Sequence, residues 1–291
     1  MNTPDKNHPE NIKTNVSQLH KLDIEAYFRR IAFDGERKAD LKTLRLIHYL
    51  HPQYIPFENL NSFLGLPVDL NMDAIEQKLV FNSRGGYCFE HNLLLMEVLK
   101  ALGFQVKGLA ARVQWNLPED LVSPRGHMLL LVELDNRRLL VDVGFGGLTL
   151  TSPLSLDIAW DQQTTHGTFR ILNQNQDVFT LQVNLQGEWK TMYTFSLEEQ
   201  FWVDYKVSNW YISTHPDSHF TYMLIAGLCT PDRRYALRNN QLSVHFSDGV
   251  TEKIILETSQ DIQKVLEEML GIRLPKVDHL EAMLQKVVSQ A

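Results

Sequence analysis

Between Asp23 and Tyr49 apolar side chains recur every three or four positions, as Ile24, Tyr27, Phe28 and Ile31, then Leu41, Leu44 and Ile47. This spacing predicts helix, with Asp23 and Asp40 placed as N-caps and Pro52 expected to end the helical run. A loop containing Ile55-Pro56-Phe57-Glu58-Asn59 follows, and Asn71 is expected to cap a short helix reaching about Val80. Another helix is predicted from near Cys88 to Leu102, with Gly103 as its C-terminal glycine.

Beyond Gly103 the pattern changes to short β-rich runs at 106–113, 127–134 and 137–143, the last two joined by Asp135-Asn136 as a hairpin turn. Further strands are expected near 169–172, 178–183 and 189–195, a series that reads as a small barrel or sandwich. A mixed segment with β patterns at 222–228 and 242–246 follows, and two helices close the chain, the first expected to be capped by Ser259 and stopped by Gly271. Residues 1–20 are polar, carry Pro4 and Pro9, lack the apolar stretch of a secretory signal, and are expected to be a flexible N-terminal tail.

Composition narrows the functional classes. The 291 residues are 44% hydrophobic and 22% charged, the balance of an ordinary globular protein. The net charge of −7 is spread along the chain, and no Lys/Arg cluster alternates with aromatics, which argues against a nucleic-acid partner. The longest apolar run, Met128 to Val132, is far short of the roughly 20 residues of a membrane-spanning helix. Two cysteines, Cys88 and Cys229, make no disulfide framework, and a cytoplasmic location is expected.

Cys88 follows a glycine turn, Arg84-Gly85-Gly86-Tyr87, and opens a helical pattern. A thiol at a helix N-terminus meets unpaired N–H groups and the positive end of the helix dipole, which favour the nucleophilic thiolate. A nucleophilic cysteine also needs a base and a group that orients the base. His127 opens an apolar strand, Asp142 interrupts the apolar run Leu139 to Val143, and the hairpin between them brings the two side chains near one another. Cys88, His127 and Asp142 are therefore the candidates for attack, proton transfer and tautomer control.

Blander readings compete. Cys88 is also consistent with a buried packing residue, as Cys229 is expected to be, His127 with a ring satisfied by backbone, and Asp142 with a loop cap or a partner of Arg112 or Arg138. The run Gly144-Phe145-Gly146-Gly147 reads equally as an anion-facing loop or a barrel turn. Cys88 with His91, and His215 with His219, have ligand-like spacings but lack companions for a metal, and no metal site is expected. A cysteine hydrolase or transglutaminase-like enzyme would use the same three groups, and a non-catalytic interaction module would leave them unexplained.

At this point the chain closely resembles the arylamine N-acetyltransferases. The resemblance rests on the run from Arg84 to Asn92, on Ile55-Pro56-Phe57-Glu58-Asn59-Leu60, on the strand opened by His127, on Val141-Asp142-Val143-Gly144-Phe145-Gly146, and on the run from Asn209 to Pro216. It implies an α+β architecture of helical bundle (21–103), β-barrel (104–195) and α/β lid (196–291) around a cysteine-protease-like Cys-His-Asp core. It further implies ping-pong acetyl transfer, with acetyl-CoA as donor substrate, no tightly bound cofactor, and arylamines, hydrazines or hydrazides as acceptors. By position, Cys88, His127 and Asp142 match the family triad, Phe57 and Phe145 its acceptor pocket, and Ser123, Tyr211, Ser218 and Phe220 its CoA cleft. Aryl acceptors are then expected to pack on the two phenylalanines, ring pairs being worth roughly 0.5–1.5 kcal/mol beyond area burial.

Overall fold

The computed structural model describes residues 22–118, 121–175 and 177–289. The tail expected over 1–20 lies outside them. Helix α1 (Ile24–Arg30) and helix α2 (Leu41–Tyr54) begin at the two expected caps, where the Asp23 carboxylate accepts from the Ala26 N–H and that of Asp40 from the Thr43 N–H. Pro52 does not end α2, which continues to Tyr54. A proline removes its own N–H from the ladder and crowds the carbonyl four residues back, yet Ile55 N–H still reaches the His51 carbonyl at 2.9 Å.

Strand β1 (Phe57–Glu58) leads into the short helices α3 (Leu60–Phe63) and α4 (Met72–Glu76), and α4 runs on as a π turn to Phe81. Asn71 is the N-cap residue of α4, although its side chain makes no capping bond. Helix α5 (Cys88–Ala101) is buried along nearly its whole length, its neighbours being strands on one side and the other helices on the rest.

An eight-stranded antiparallel sheet follows, built from β2 (Gln105–Val113), β3 (His127–Leu134), β4 (Arg137–Val141), β5 (Leu154–Ser155), β6 (Gln162–Thr164), β7 (Gly167–Asn175), β8 (Val178–Leu185) and β9 (Glu188–Ser196). Its order is β5-β4-β3-β2-β9-β8-β7-β6. The two edge strands meet through the Gln162 amide, which donates to the Ser155 carbonyl and accepts from the Ser155 N–H, so that a side chain bridges the seam of a nearly closed barrel. Asp135 and Asn136 both have positive φ in the tight β3–β4 turn, as the hairpin expectation required. The apolar run of β3 has a simple cause: Met128, Leu130 and Val132 face the helices while Leu129 and Leu131 face the barrel interior, so both faces are buried.

After the barrel come α6 (Trp202–Thr214), then β10 (Ile225–Thr230), β11 (Arg233–Arg238), β12 (Gln241–Phe246) and β13 (Thr251–Ile255), and helices α7 (Ser259–Lys264) and α8 (Leu280–Ser289). These four strands and β1 form a second antiparallel sheet in the order β1-β10-β11-β12-β13. Leu60, Phe63 and Leu64 belong to the core beneath it. The cap of α7 is Thr258 rather than Ser259: the Thr258 hydroxyl accepts from the Asp261 N–H and the Asp261 carboxylate accepts from the Thr258 N–H. Ser259 instead gives its hydroxyl proton to Glu281 of α8. Helix α6 escapes a periodicity reading because its outward positions are apolar too, Val203, Val207 and Trp210 being more than half exposed.

The two sheets and the helices converge on the turn before α5. A Cβ on Gly85 would lie 1.8 Å from the Pro56 carbonyl oxygen, a backbone atom that cannot yield without moving β1. Gly85→Ala is therefore expected to destabilise the protein by about 3 kcal/mol, lowering the melting temperature by roughly 6–10 °C, as thermal denaturation of the two proteins will show.

Candidate active site

The turn that presents Cys88 is held by a buried cluster of charges. Arg84 meets Glu58 at 2.7 Å and Lys78 meets Glu90 at 2.7 Å, with Lys78 also 3.8 Å from Glu58. The same carboxylates accept backbone N–H groups, Glu58 from Leu60 and Glu90 from Tyr87. Burial pushes both carboxyls up. For Glu58 the charges of Lys78 and Arg84 outweigh burial and hold it below the usual range, whereas Glu90, which also faces Glu58, ends above it. The Tyr87 hydroxyl bonds to Asn209 of α6, tying the residue before the cysteine to the C-terminal part of the chain.

Cys88 is the first residue of α5 and is 6% exposed. Its sulfur lies 3.8 Å from the Gly126 carbonyl, in the residue before His127, and its proximity helps to raise the His127 imidazole. His127 Nε2 donates to Asp142 Oδ2 at 2.7 Å, which leaves Nδ1 as the nitrogen that the carboxylate does not engage. Asp142 itself follows the last residue of β4. The ladder pairs Leu130 with Val141, so His127 and Asp142 stand just beyond its end, where the hairpin can bring them together.

Asp142 is fully buried and saturated with donors. Besides His127, it accepts from the Tyr193 hydroxyl at 3.0 Å, from Asn92 Nδ2 at 3.1 Å and from the Gly144 N–H at 2.9 Å. Burial pushes its carboxyl up, but the His127 charge and these bonds outweigh that and bring it below the ordinary carboxylate range. For His127 burial pushes the imidazolium down, yet the Asp142 charge and hydrogen bond, with a further contribution from Cys88, push it up to about 10. The imidazole is thus cationic through the neutral range.

Asn92 and Tyr193 were not among the sequence candidates. Asn92 had a signal, since it stands one turn after Cys88 on the same helix and its amide spans from Asp142 to the Met128 carbonyl while its oxygen accepts the Val143 N–H. Tyr193 had none, because it reads as an ordinary inward strand residue until the barrel closes. The approach of the Asp142 loop to α5 depends on Gly144, where a Cβ would fall 2.7 Å from the Cys88 Cα.

The competing readings fare unevenly. Arg138 pairs with Asp157 at 2.6 Å and Arg112 donates to the Ser123 carbonyl, so neither is the partner of Asp142. In the glycine run, Gly144 N–H is bound to Asp142 and Phe145 N–H to Thr149 Oγ1, which removes both from any anion. Both ring nitrogens of His91 are engaged, by His51 and by the Pro56 carbonyl. His215 stacks on Tyr211, centroids 4.5 Å apart. Among the described residues no group of three or more His, Cys, Asp and Glu could hold a metal ion, and no helix is long and apolar enough to cross a membrane. Cys229 is buried, which pushes its thiol up.

The remaining sequence candidates fall into separate groups. Phe145 stands edge-on to the His127 ring at 5.2 Å. Phe57 lies parallel to the His91 ring and tilted against Phe220, which in turn packs on Tyr87, so these form one aromatic wall. Ser123 and Ser218 are buried, and each gives its hydroxyl proton to a backbone carbonyl, that of Val113 and that of Ile212. Tyr211 is partly exposed on α6.

Comparison with known proteins agrees with this picture. The sequence profile of the N-acetyltransferase family matches residues 40–279. The arylamine N-acetyltransferase of Mycolicibacterium smegmatis is 44% identical over 257 residues, covering 87% of this chain and 93% of the relative. That of Escherichia coli strain K12 is 38% identical over 257 residues, covering 88% and 91%. A solved M. smegmatis arylamine N-acetyltransferase superimposes with a TM-score of 0.88 at 41% identity, covering 92% of this chain and 99% of its own. The Mycobacterium marinum enzyme, solved in complex with CoA, gives 0.87 at 39% identity, covering 91% and 99%. With a family profile across most of its length and relatives this similar in sequence and fold, the chain belongs to the arylamine N-acetyltransferase family and is an acyltransferase.

Proposed function

We propose that this enzyme transfers an acetyl group from acetyl-CoA to arylamines, arylhydrazines or hydrazides by a ping-pong reaction through a thioester on Cys88. The observation that carries this reading is geometric: Cys88 opens α5 with its sulfur 3.8 Å from the Gly126 carbonyl, and the next residue, His127, is bonded to the buried Asp142 carboxylate. The CoA complex of the M. marinum relative supports CoA as the carrier of the acyl group.

In the first half-reaction the Cys88 thiolate attacks the acetyl carbonyl carbon, and the carbon–sulfur bond to CoA breaks. The proton on His127 passes to the departing CoA thiolate. The products are acetyl-Cys88, neutral His127 and free CoA. In the second half-reaction the amine nitrogen attacks the same carbonyl, the neutral imidazole takes the nitrogen's proton, and the Cys88 sulfur leaves, returning the site to the state in which it began. Thioester exchanges for thioester in the first step, while amide formation makes the second effectively irreversible. Asp142 keeps Nε2 protonated in both states, so that Nδ1 alone faces the sulfur and carries the moving proton.

Phe145, edge-on to His127, and the wall formed by Phe57 and Phe220 are the surfaces proposed to receive the acceptor ring. Ser123, Tyr211, Ser218 and Phe220 are proposed to line the CoA cleft. Because Ser123 and Ser218 have already committed their hydroxyl protons, each can only accept there, which suits the amide N–H groups of the pantetheine arm and not the phosphates.

Acetyl-CoA mixed with enzyme in the absence of amine is expected to give a stoichiometric release of free CoA and an acetyl adduct on Cys88 by intact-mass spectrometry; the Cys88→Ala protein should show neither. The pH dependence has a definite sign. Imidazolium, the acid for the leaving CoA, is lost as pH rises through about 10. In Asp142→Asn the opposing effect of burial is left unbalanced, so the alkaline limb of the first half-reaction should move toward acid pH. Its rate near neutrality should fall at least about a hundredfold, as stopped-flow release of CoA across a pH series will measure.

A further inference from the structure

Behind Phe57 lies a chain of buried polar groups that the acetyl-transfer chemistry does not use. Tyr27 of α1, His51 of α2 and His91 of α5 are almost completely buried. The Tyr27 hydroxyl lies 2.8 Å from His51 Nδ1, His51 Nε2 lies 2.9 Å from His91 Nδ1, and His91 Nε2 lies 3.1 Å from the Pro56 carbonyl.

The direction of every bond follows from its last member. A carbonyl can only accept, so His91 carries its proton on Nε2 and presents Nδ1 as an acceptor. His51 must then donate through Nε2 and accept at Nδ1, and Tyr27 must donate. Both rings are neutral in this arrangement. Burial supports that state, pushing His91 down to about 4 and His51 well below its ordinary value. A ring bonded through both nitrogens cannot turn, and the Phe57 ring lies on His91 with only 9° between their planes, centroids 6.4 Å apart.

We propose that the Tyr27–His51–His91 chain is a positioning device for the acceptor side: it locks the plane of His91, and His91 backs the Phe57 ring on which the aromatic acceptor packs. This rests on reading Phe57 as an acceptor surface and Cys88 as the acetyl carrier. The chain makes no bond to His127 or Asp142, so it acts on acceptor binding and leaves acetylation of Cys88 alone. His91 is accordingly a positioning residue.

The test separates the two half-reactions in full-length protein. His91→Phe keeps a ring beneath Phe57 but removes both bonds, and His91→Gln restores a donor for the Pro56 carbonyl. His91→Phe is expected to raise the arylamine KM about tenfold while the CoA burst without amine stays within about twofold of wild type, and His91→Gln should recover much of the KM. Tyr27→Phe, a smaller change at the far end, should raise the KM about threefold and serves if His91→Phe does not fold. An unchanged arylamine KM in the folded variants overturns the proposal, as does a burst lost in step with the KM. A wild-type protein that gives no burst overturns the thioester reading itself, and with it this one.

Discussion

The carboxylate of Asp142 is the point on which this architecture turns. A charge with no exposure to water survives only where it is fully paired and hydrogen-bonded, and its donors come from separate parts of the chain. Asn92 reaches it from α5, His127 from β3, Tyr193 from β9 and Gly144 from the loop that follows it. Satisfying one buried charge thus registers the helix that carries Cys88 against the hairpin that carries His127. The same bonds hold His127 cationic. Structural and chemical demands coincide here, because the arrangement that makes burial tolerable also sets the protonation state of the imidazole.

A second set of buried charges does for the turn before Cys88 what Asp142 does for His127. Glu58 and Glu90, bridged by Lys78 and with Arg84 on Glu58, tie β1, the π turn after α4 and the start of α5 into one cluster. Each carboxylate also accepts a backbone N–H, so the chain on either side of the Gly85-Gly86 turn is fixed by buried carboxylates. The Glu58 N–H donates to the Gly86 carbonyl, closing the turn from the other side. The result is a cysteine held at the first residue of a helix by contacts that do not involve the thiol.

The C-terminal part of the chain reaches this centre from two directions. Asn209 of α6 bonds to the Tyr87 hydroxyl. Arg234 of β11, almost fully buried and with no carboxylate partner among the described residues, donates to the carbonyls of Gly147 and Thr149 in the loop that carries Phe145 and to that of His166. The second sheet therefore sets where the loop after Asp142 lies, while its first strand, β1, contains Phe57. Residues from distant parts of the sequence thereby share the work of shaping one surface around the sulfur.

Much of this was legible along the chain. A cysteine after a glycine turn and before a helical period announces a helix N-terminus, and a tight Asp-Asn turn between two apolar strands announces that His127 and Asp142 approach one another. Both follow from local chain geometry, which needs only neighbouring residues. Local rules also set the caps at Asp23 and Asp40, though they misjudged Pro52 and Ser259, where one surviving backbone bond and the side chain of Thr258 decided the outcome. What the sequence could not determine were Asn92 and Tyr193 as partners of Asp142, the joining of Phe57 to the C-terminal sheet, and the hydrogen-bonded chain from Tyr27 to Pro56. These depend on which faces meet after collapse, and a buried polar side chain shows its purpose only when the partner that balances its desolvation has been brought within about 3 Å by the tertiary fold.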